Sequence, residues 1–176
     1  MAIEVSRPLS PVAVASMLRG AAAAFAAEVR SLPESLLSWR PAVGEWCVKE
    51  VLGHIIEVER RGFAGRIRII LAGDRPALER WDPAAVAAAR KDDERDAEAL
   101  VTELLQMRDE SAALAARLRP DDLQRVVLHP TVGDLKVADL LQEWVYHDRN
   151  HLKQIMANVQ AYAWPHMGNA QKFSVP

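Results

Sequence analysis

Four long stretches of this chain repeat their apolar residues every three or four positions, with proline or glycine standing at their boundaries. That is the period of a helix buried along one side, so the chain must pair its helices through apolar stripes. The first stretch runs from about Pro11 to Leu32, with Val14, Met17, Leu18, Ala21, Phe25 and Leu32 on one face and Pro33 ending it. After the turn Trp39-Arg-Pro-Ala-Val-Gly44, the second runs from about Val48 to Ala72 on a face of Val51, Leu52, Ile55, Val58 and Phe63. The segment Gly73-Asp-Arg-Pro76 closes it. The third, from about Pro83 to Leu118, carries Leu100, Leu104, Met107, Leu114 and Leu118 as a seam broken once, by Ser111, and Arg119-Pro120 stops it. The fourth runs from about Val137 to Ala161. Between the last two, Val126-Val127-Leu128 and His129-Pro-Thr-Val-Gly-Asp134 read as a loop or irregular hairpin rather than as paired strands. The fold expected is all-α, a four-helix bundle, as a single domain over residues 1–176.

The fourth stripe contains an anomaly. Val137, Leu140, Leu141, Trp144, Ile155 and Val159 define its inward face, and His147 and His151 fall on the same face, one turn apart. At that spacing their Cβ atoms stand about 5–6 Å apart, which suits two ligands converging on one ion. His54 sits on the inward face of the second helix beside Val51, Ile55 and Val58. Three neutral imidazoles leave room at a metal for water or substrate, whereas a closed structural zinc site needs a fourth protein ligand. The competing reading is a set of hydrogen-bonded core histidines, since buried polar groups must be satisfied. A di-iron carboxylate site fits less well, because it needs Glu-x-x-His pairs and Glu143 precedes His147 by four positions.

Glu57 and Glu143 share the stripes of His54 and His147, so either could accept a hydrogen bond from a free imidazole nitrogen or bind the metal. Glu57 is the candidate catalytic residue, orienting His54 or moving a proton. Asp148 and Asn150 read as rotated towards solvent. Arg60, Arg61, Arg66 and Arg68 read as a solvated face paired with Glu57 and Glu59, with a substrate carboxylate as the alternative partner. Cys47, at a helix start, is a weak candidate for a reactive thiol. Trp46 and Trp144 flank the histidine turns as pocket wall or as core, and His129 and His166 read as surface residues.

A net charge of −2 gives no attraction for a polyanion, so nucleic-acid binding is not expected. A single cysteine forms no intramolecular disulfide, and the first residues show no basic segment followed by an apolar run, which points to the cytoplasm. The apolar stretch around Ala21–Ala27 is too short to span a bilayer, so no membrane is expected as a partner.

Two segments carry a family resemblance. Gly44-Glu45-Trp46-Cys47-Val48-Lys49-Glu50-Val51-Leu52-Gly53-His54 with Glu57-Val-Glu59, and Asp139-Leu-Leu ahead of His147-Asp148-Arg149-Asn150-His151-Leu152-Lys153-Gln154-Ile155, resemble the two signature stretches of the DinB-like (YfiT-like) superfamily. Their order and spacing, and the tail Trp164-Pro165 to Phe173, are similar too. The resemblance implies an up-down-down-up bundle with a divalent metal on His54, His147 and His151. It also implies a metal-dependent S-transferase using a low-molecular-weight thiol such as bacillithiol, mycothiol or glutathione, with an electrophilic small molecule as second substrate. Cys47 and Lys136 stand where the family often has a capping Ser or Thr, which weakens those helix starts. Imidazole suits zinc, nickel, iron and copper alike. Two other readings remain at this point: a metal-binding stress or accessory protein without turnover, and a homodimerising interaction module that would tolerate loss of His54 and His147.

Overall fold

Ser10 starts the first helix: its hydroxyl accepts the Ala13 N–H at 3.2 Å, Pro11 fills the first turn, and α1 runs over Pro11–Ser31. The computed structural model describes residues 7–73, 76 and 78–174. The reading of residues 1–6 and part of the terminator at 73–76 therefore lie outside the described residues. A short α2 (Glu34–Leu37) precedes α3 (Val48–Glu57), which passes through a π-helical turn (Val58–Gly62) into α4 (Phe63–Ala72). Then come α5 (Pro83–Arg90), a 3₁₀ turn (Asp92–Glu94), α6 (Ala97–Ala116), α7 (Pro120–Leu123), β1 (Val126–His129), β2 (Gly133–Lys136) and α8 (Val137–Ala163), with 3₁₀ turns to Phe173.

Contacts along the helices fix their directions. Arg19 pairs with Asp109 at 3.6 Å and Arg30 with Glu98 at 2.5 Å, so α1 and α6 run antiparallel. Before α6 begins, the Arg95 carbonyl accepts from Lys49 Nζ at 3.0 Å near the start of α3, so α3 and α6 run parallel. Asn158 reaches the Trp46 carbonyl at 2.9 Å, while Trp144 stacks on Phe63 with centroids 5.3 Å apart, so α8 returns antiparallel to α3 and α4. The result is an up-down-down-up four-helix bundle.

That topology corrects the single third helix over Pro83–Leu118. Lys91 adopts a left-handed φ of 51°, Arg95 is extended, and Asp96 caps a new helix through the Ala99 N–H at 2.8 Å. The break lets α5 and the 3₁₀ turn cover the outer side of α3 while α6 enters the bundle. From Val51 to Glu59 every residue is buried, which a helix with one free face could not achieve. The hairpin is also a correction: β1 and β2 pair antiparallel with Val127 opposite Leu135, because Val127 is buried in the same apolar cluster as Val137 and Leu140. By length and composition α1 could cross a membrane, which the Ala21–Ala27 stretch alone did not suggest. Its Leu18 and Phe25 are instead packed at 0% exposure in the bundle core.

Both unconventional helix starts keep the acidic half of a capping box. Glu50 accepts the Cys47 N–H, and Asp139 the Lys136 N–H, each at 2.9 Å.

Gly53 is where the crossover touches α3. A Cβ there would overlap the Asp92 carboxylate, which Arg90 (2.9 Å) and Arg95 (3.0 Å) hold in place. Gly53→Ala is expected to destabilise by about 1–3 kcal/mol through overpacking, despite a helix-propensity gain of about 1 kcal/mol. The exposed Gly20, with nothing near its missing Cβ, should gain stability on the same change. A shared sign of the two changes in urea midpoint would contradict this.

Candidate metal centre

His54 is carried by α3, and His147 and His151 by α8, and antiparallel packing brings the three rings together. His54 Nε2 lies 3.3 Å from His147 Nε2, and one ring nitrogen from each of the three lies within 4.8 Å of the others. Ring centroids are 4.4 Å apart for His147–His151 and 4.7 Å for His54–His151. Gln154 Oε1 accepts from His151 Nδ1 at 2.8 Å, which leaves His151 Nε2 with its lone pair free.

This donor set fits a metal ion. Two nitrogens bound tetrahedrally at about 2.0–2.1 Å from zinc stand about 3.3 Å apart, the separation His54 and His147 already have. Nδ1 of both His54 and His147 is buried without a hydrogen-bond partner among the described residues. Burial, with His151 beside it, lowers the His54 pKa to about 4. Burial and the neighbouring His151, His54 and Arg108 lower that of His147 to about 3. Burial lowers His151 as well, against the pull of Gln154. All three imidazoles are therefore neutral near pH 7, as ligation requires.

The depressed values also set a pH dependence for the metal-free chain. The unfolded chain takes up protons near pH 6.5 that the folded histidines refuse until about 4 and about 3. Stability is full above about pH 6.5 and falls as the pH drops through that value. A urea midpoint of the metal-free chain that stays constant between about pH 7.5 and about 5 would contradict this.

Aromatic rings wall the site. Trp46 lies 4.9 Å from His54, Trp81 stacks against it at 6.3 Å, and Phe63 meets His147 edge-on at 5.3 Å. His54 and His147 line one end of a cleft of about 220 Å³ whose other walls include Phe63, Arg66, Arg80, Trp81, His129 and Glu143. His129 is thus not a plain surface residue. The hairpin pairing brings it to the cleft, where its Nδ1 accepts the Thr131 N–H at 3.2 Å.

Neither glutamate takes up a free imidazole nitrogen. Glu57 is buried under the crossover, paired with Arg60 (2.6 Å), Arg61 (2.6 Å) and Arg90 (2.7 Å). Burial raises its pKa, but those three guanidiniums hold it below the usual carboxylate range. Glu143 is exposed and lines the cleft. Asp148 is buried rather than solvent-facing, at 2.5 and 3.2 Å from Arg108. Glu59 pairs with Arg108 at 2.8 Å and accepts from Trp144 Nε1 at 2.8 Å, not with the helix-surface arginines. Ser111, the interruption of the third seam, hydrogen-bonds to Glu59. Trp144 is core, whereas Trp46 is wall. Cys47 is buried, and burial pushes its thiol up to about 11, so it stays protonated and unreactive. His166 is exposed, as expected.

The model of the DinB superfamily matches residues 17–155. YuaE of Bacillus subtilis, an uncharacterized protein, is 24% identical over 144 residues, covering 73% of this chain and 86% of the relative. A Bacillus licheniformis protein named, provisionally, as a metal-dependent hydrolase is 26% identical over 152 residues, covering 84% of this chain and 80% of its own. Among solved structures, YfiT from Bacillus subtilis, described as a probable metal-dependent hydrolase with an unusual four-helix bundle topology, superposes with a TM-score of 0.82. Its sequence identity is 19%, over 93% of this chain and 94% of the other.

Proposed function

The chain belongs to the DinB superfamily, and from that premise we propose that it is a metal-dependent enzyme that joins a small nucleophile, first a low-molecular-weight thiol, to an electrophile held in the cleft. The supporting observation is three imidazole nitrogens within 4.8 Å of one another, with His54 and His147 opening onto a cleft. A divalent ion held by His54, His147 and His151 supplies a Lewis acid that brings the pKa of a thiol or water down towards neutrality. The remaining work falls to the chain. Trp46, Trp81 and Phe63 keep bulk water from the imidazoles. Glu143, on the cleft wall with His147, accepts the proton the nucleophile loses. A bond forms from the nucleophile to the electrophilic carbon, the bond to the leaving group breaks, and the leaving group departs with its electron pair.

Hydrolysis is the second reading, favoured by relatives named as metal-dependent hydrolases. It uses the same site with water as nucleophile. A single assay separates the two: a chromogenic electrophile is offered to metal-loaded and metal-stripped protein, with and without glutathione or cysteine. Turnover that needs both metal and thiol supports transfer, and metal-dependent turnover without thiol supports hydrolysis. Equal rates in loaded and stripped protein overturn both.

A further inference from the structure

A second groove, of about 420 Å³, lies beside the cleft at the histidines, with Arg61, Gly65, Arg66 and Ile69 of the second helix on its wall. The two share Arg66, Arg80 and Trp81. Every other arginine near these walls is engaged: Arg60, Arg61 and Arg90 hold Glu57, Arg95 holds Asp92, and Arg108 holds Asp148 and Glu59. Arg66 and Arg80 differ. Among the described residues neither has a carboxylate within ion-pair distance; Arg66 is half-buried, Arg80 is exposed, and both line the two grooves. Among the described residues, Glu143 lines the first cleft, its field reaching Arg66 without a direct contact, and Glu79 lines the second groove.

A guanidinium held in a half-buried wall without a partner leaves its donors open to a planar oxyanion, which the arginine fork matches with two parallel hydrogen bonds. With Glu143 on one wall and Glu79 on the other, the two guanidiniums carry no surplus of charge to match a doubly charged phosphate, and the fork suits a monoanion. The neighbouring walls carry apolar side chains, Val58, Phe63 and Pro83 in the first cleft and Ile69 and Leu78 in the second groove. We propose that Arg66 and Arg80 form an anion subsite for the carboxylate of a small organic acid, whose reacting end lies at the histidine nitrogens. The subsite itself follows from the arginines. The placement of the reacting end rests on the metal-centre reading above. The ligand is then a carboxylic acid with an apolar body, bound by the fork at one end and presented to the histidines at the other.

The test is calorimetric titration of the full chain, metal-loaded and metal-free, with 3-phenylpropionate, its neutral amide and inorganic phosphate, with metal content and melting temperature measured on the same samples. The carboxylate should bind about tenfold or more tightly than the amide, a gap equivalent to about 1.4 kcal/mol. Arg66→Gln and Arg80→Gln should each remove most of that gap, Arg66→Lys should restore part of it, and metal content should stay at the wild-type level. Arg19→Gln, which removes the same charge from α1 outside both grooves, should leave it unchanged. Carboxylate binding that survives in the Arg66→Gln/Arg80→Gln double variant, or that is no tighter than amide binding, overturns the subsite while leaving the metal centre standing. Phosphate binding more tightly than the carboxylate overturns the monoanion assignment. If wild-type protein takes up no metal, the metal-centre reading fails by itself, and the metal-free titration still decides the arginines.

Discussion

Replacing Arg108 by alanine is expected to cost the fold about 3–5 kcal/mol, the range for breaking one side of a buried ion pair. Arg108 is 1% exposed, and its guanidinium lies between Glu59 and Asp148, which are themselves 1% and 2% exposed. Burial pushes both carboxyls up, and Arg108 between them opposes that shift. Without the cation, two carboxyls are left facing each other in the core, and Trp144 loses the guanidinium 5.9 Å from its ring. Neutralising the whole set, as Arg108→Met with Glu59→Gln and Asp148→Asn, should recover much of the loss, because the penalty comes from unpaired charge more than from lost attraction. Urea denaturation decides it: a single-variant loss below about 1 kcal/mol, the size of an exposed pair, would sink this account of the network. Asp148 also stands between His147 and His151 on α8, so the Arg108 variant should bind metal more weakly as well as fold less stably.

The second large effect concerns His147. His147→Ala leaves two imidazoles, and metal affinity should fall by more than about 100-fold, because outer-shell partners alone are worth about 10–100-fold. In wild-type protein, metal at a hundredfold excess over its dissociation constant should add about 2.7 kcal/mol of stability by mass action. In His147→Ala the same addition should add no more than about 0.4 kcal/mol. Equal metal-induced shifts in both proteins would exclude His147 as a ligand.

The sequence already carried most of the architecture and the three histidines, because both are written in helical period. His147 and His151 share a turn of one helix, and His54 sits on a core face, so stripe membership alone brings them together. The buried ion network was in phase too. Asp148 follows Trp144 by four positions and Leu141 by seven, while Arg108 follows Leu104 by four and precedes Ser111 by three. Reading charge as exposure hid it, although each residue occupies a seam position whose burial is met by a partner on another helix. The broken third helix had a weaker signal, an acidic run Asp92-Asp93-Glu94 and the cap Asp96, overridden by the alanine-rich stretch before it. Glu57 illustrates what local pattern does not reach: its stripe position is right, but the crossover brings Arg90 to it from thirty-three residues away. Arg80, Trp81 and His129 come to the cleft from a loop and a hairpin, where no periodicity reports which side chains converge.

The most direct test of the central claim is metal analysis of tag-free protein, joined to anomalous diffraction from its crystals at the absorption edge of the metal found. The account predicts about one divalent ion per chain, with an anomalous peak bound by the Nε2 atoms of His54, His147 and His151 and at least one position left open to the cleft. Protein without stoichiometric metal, or a peak away from these three histidines, would contradict it.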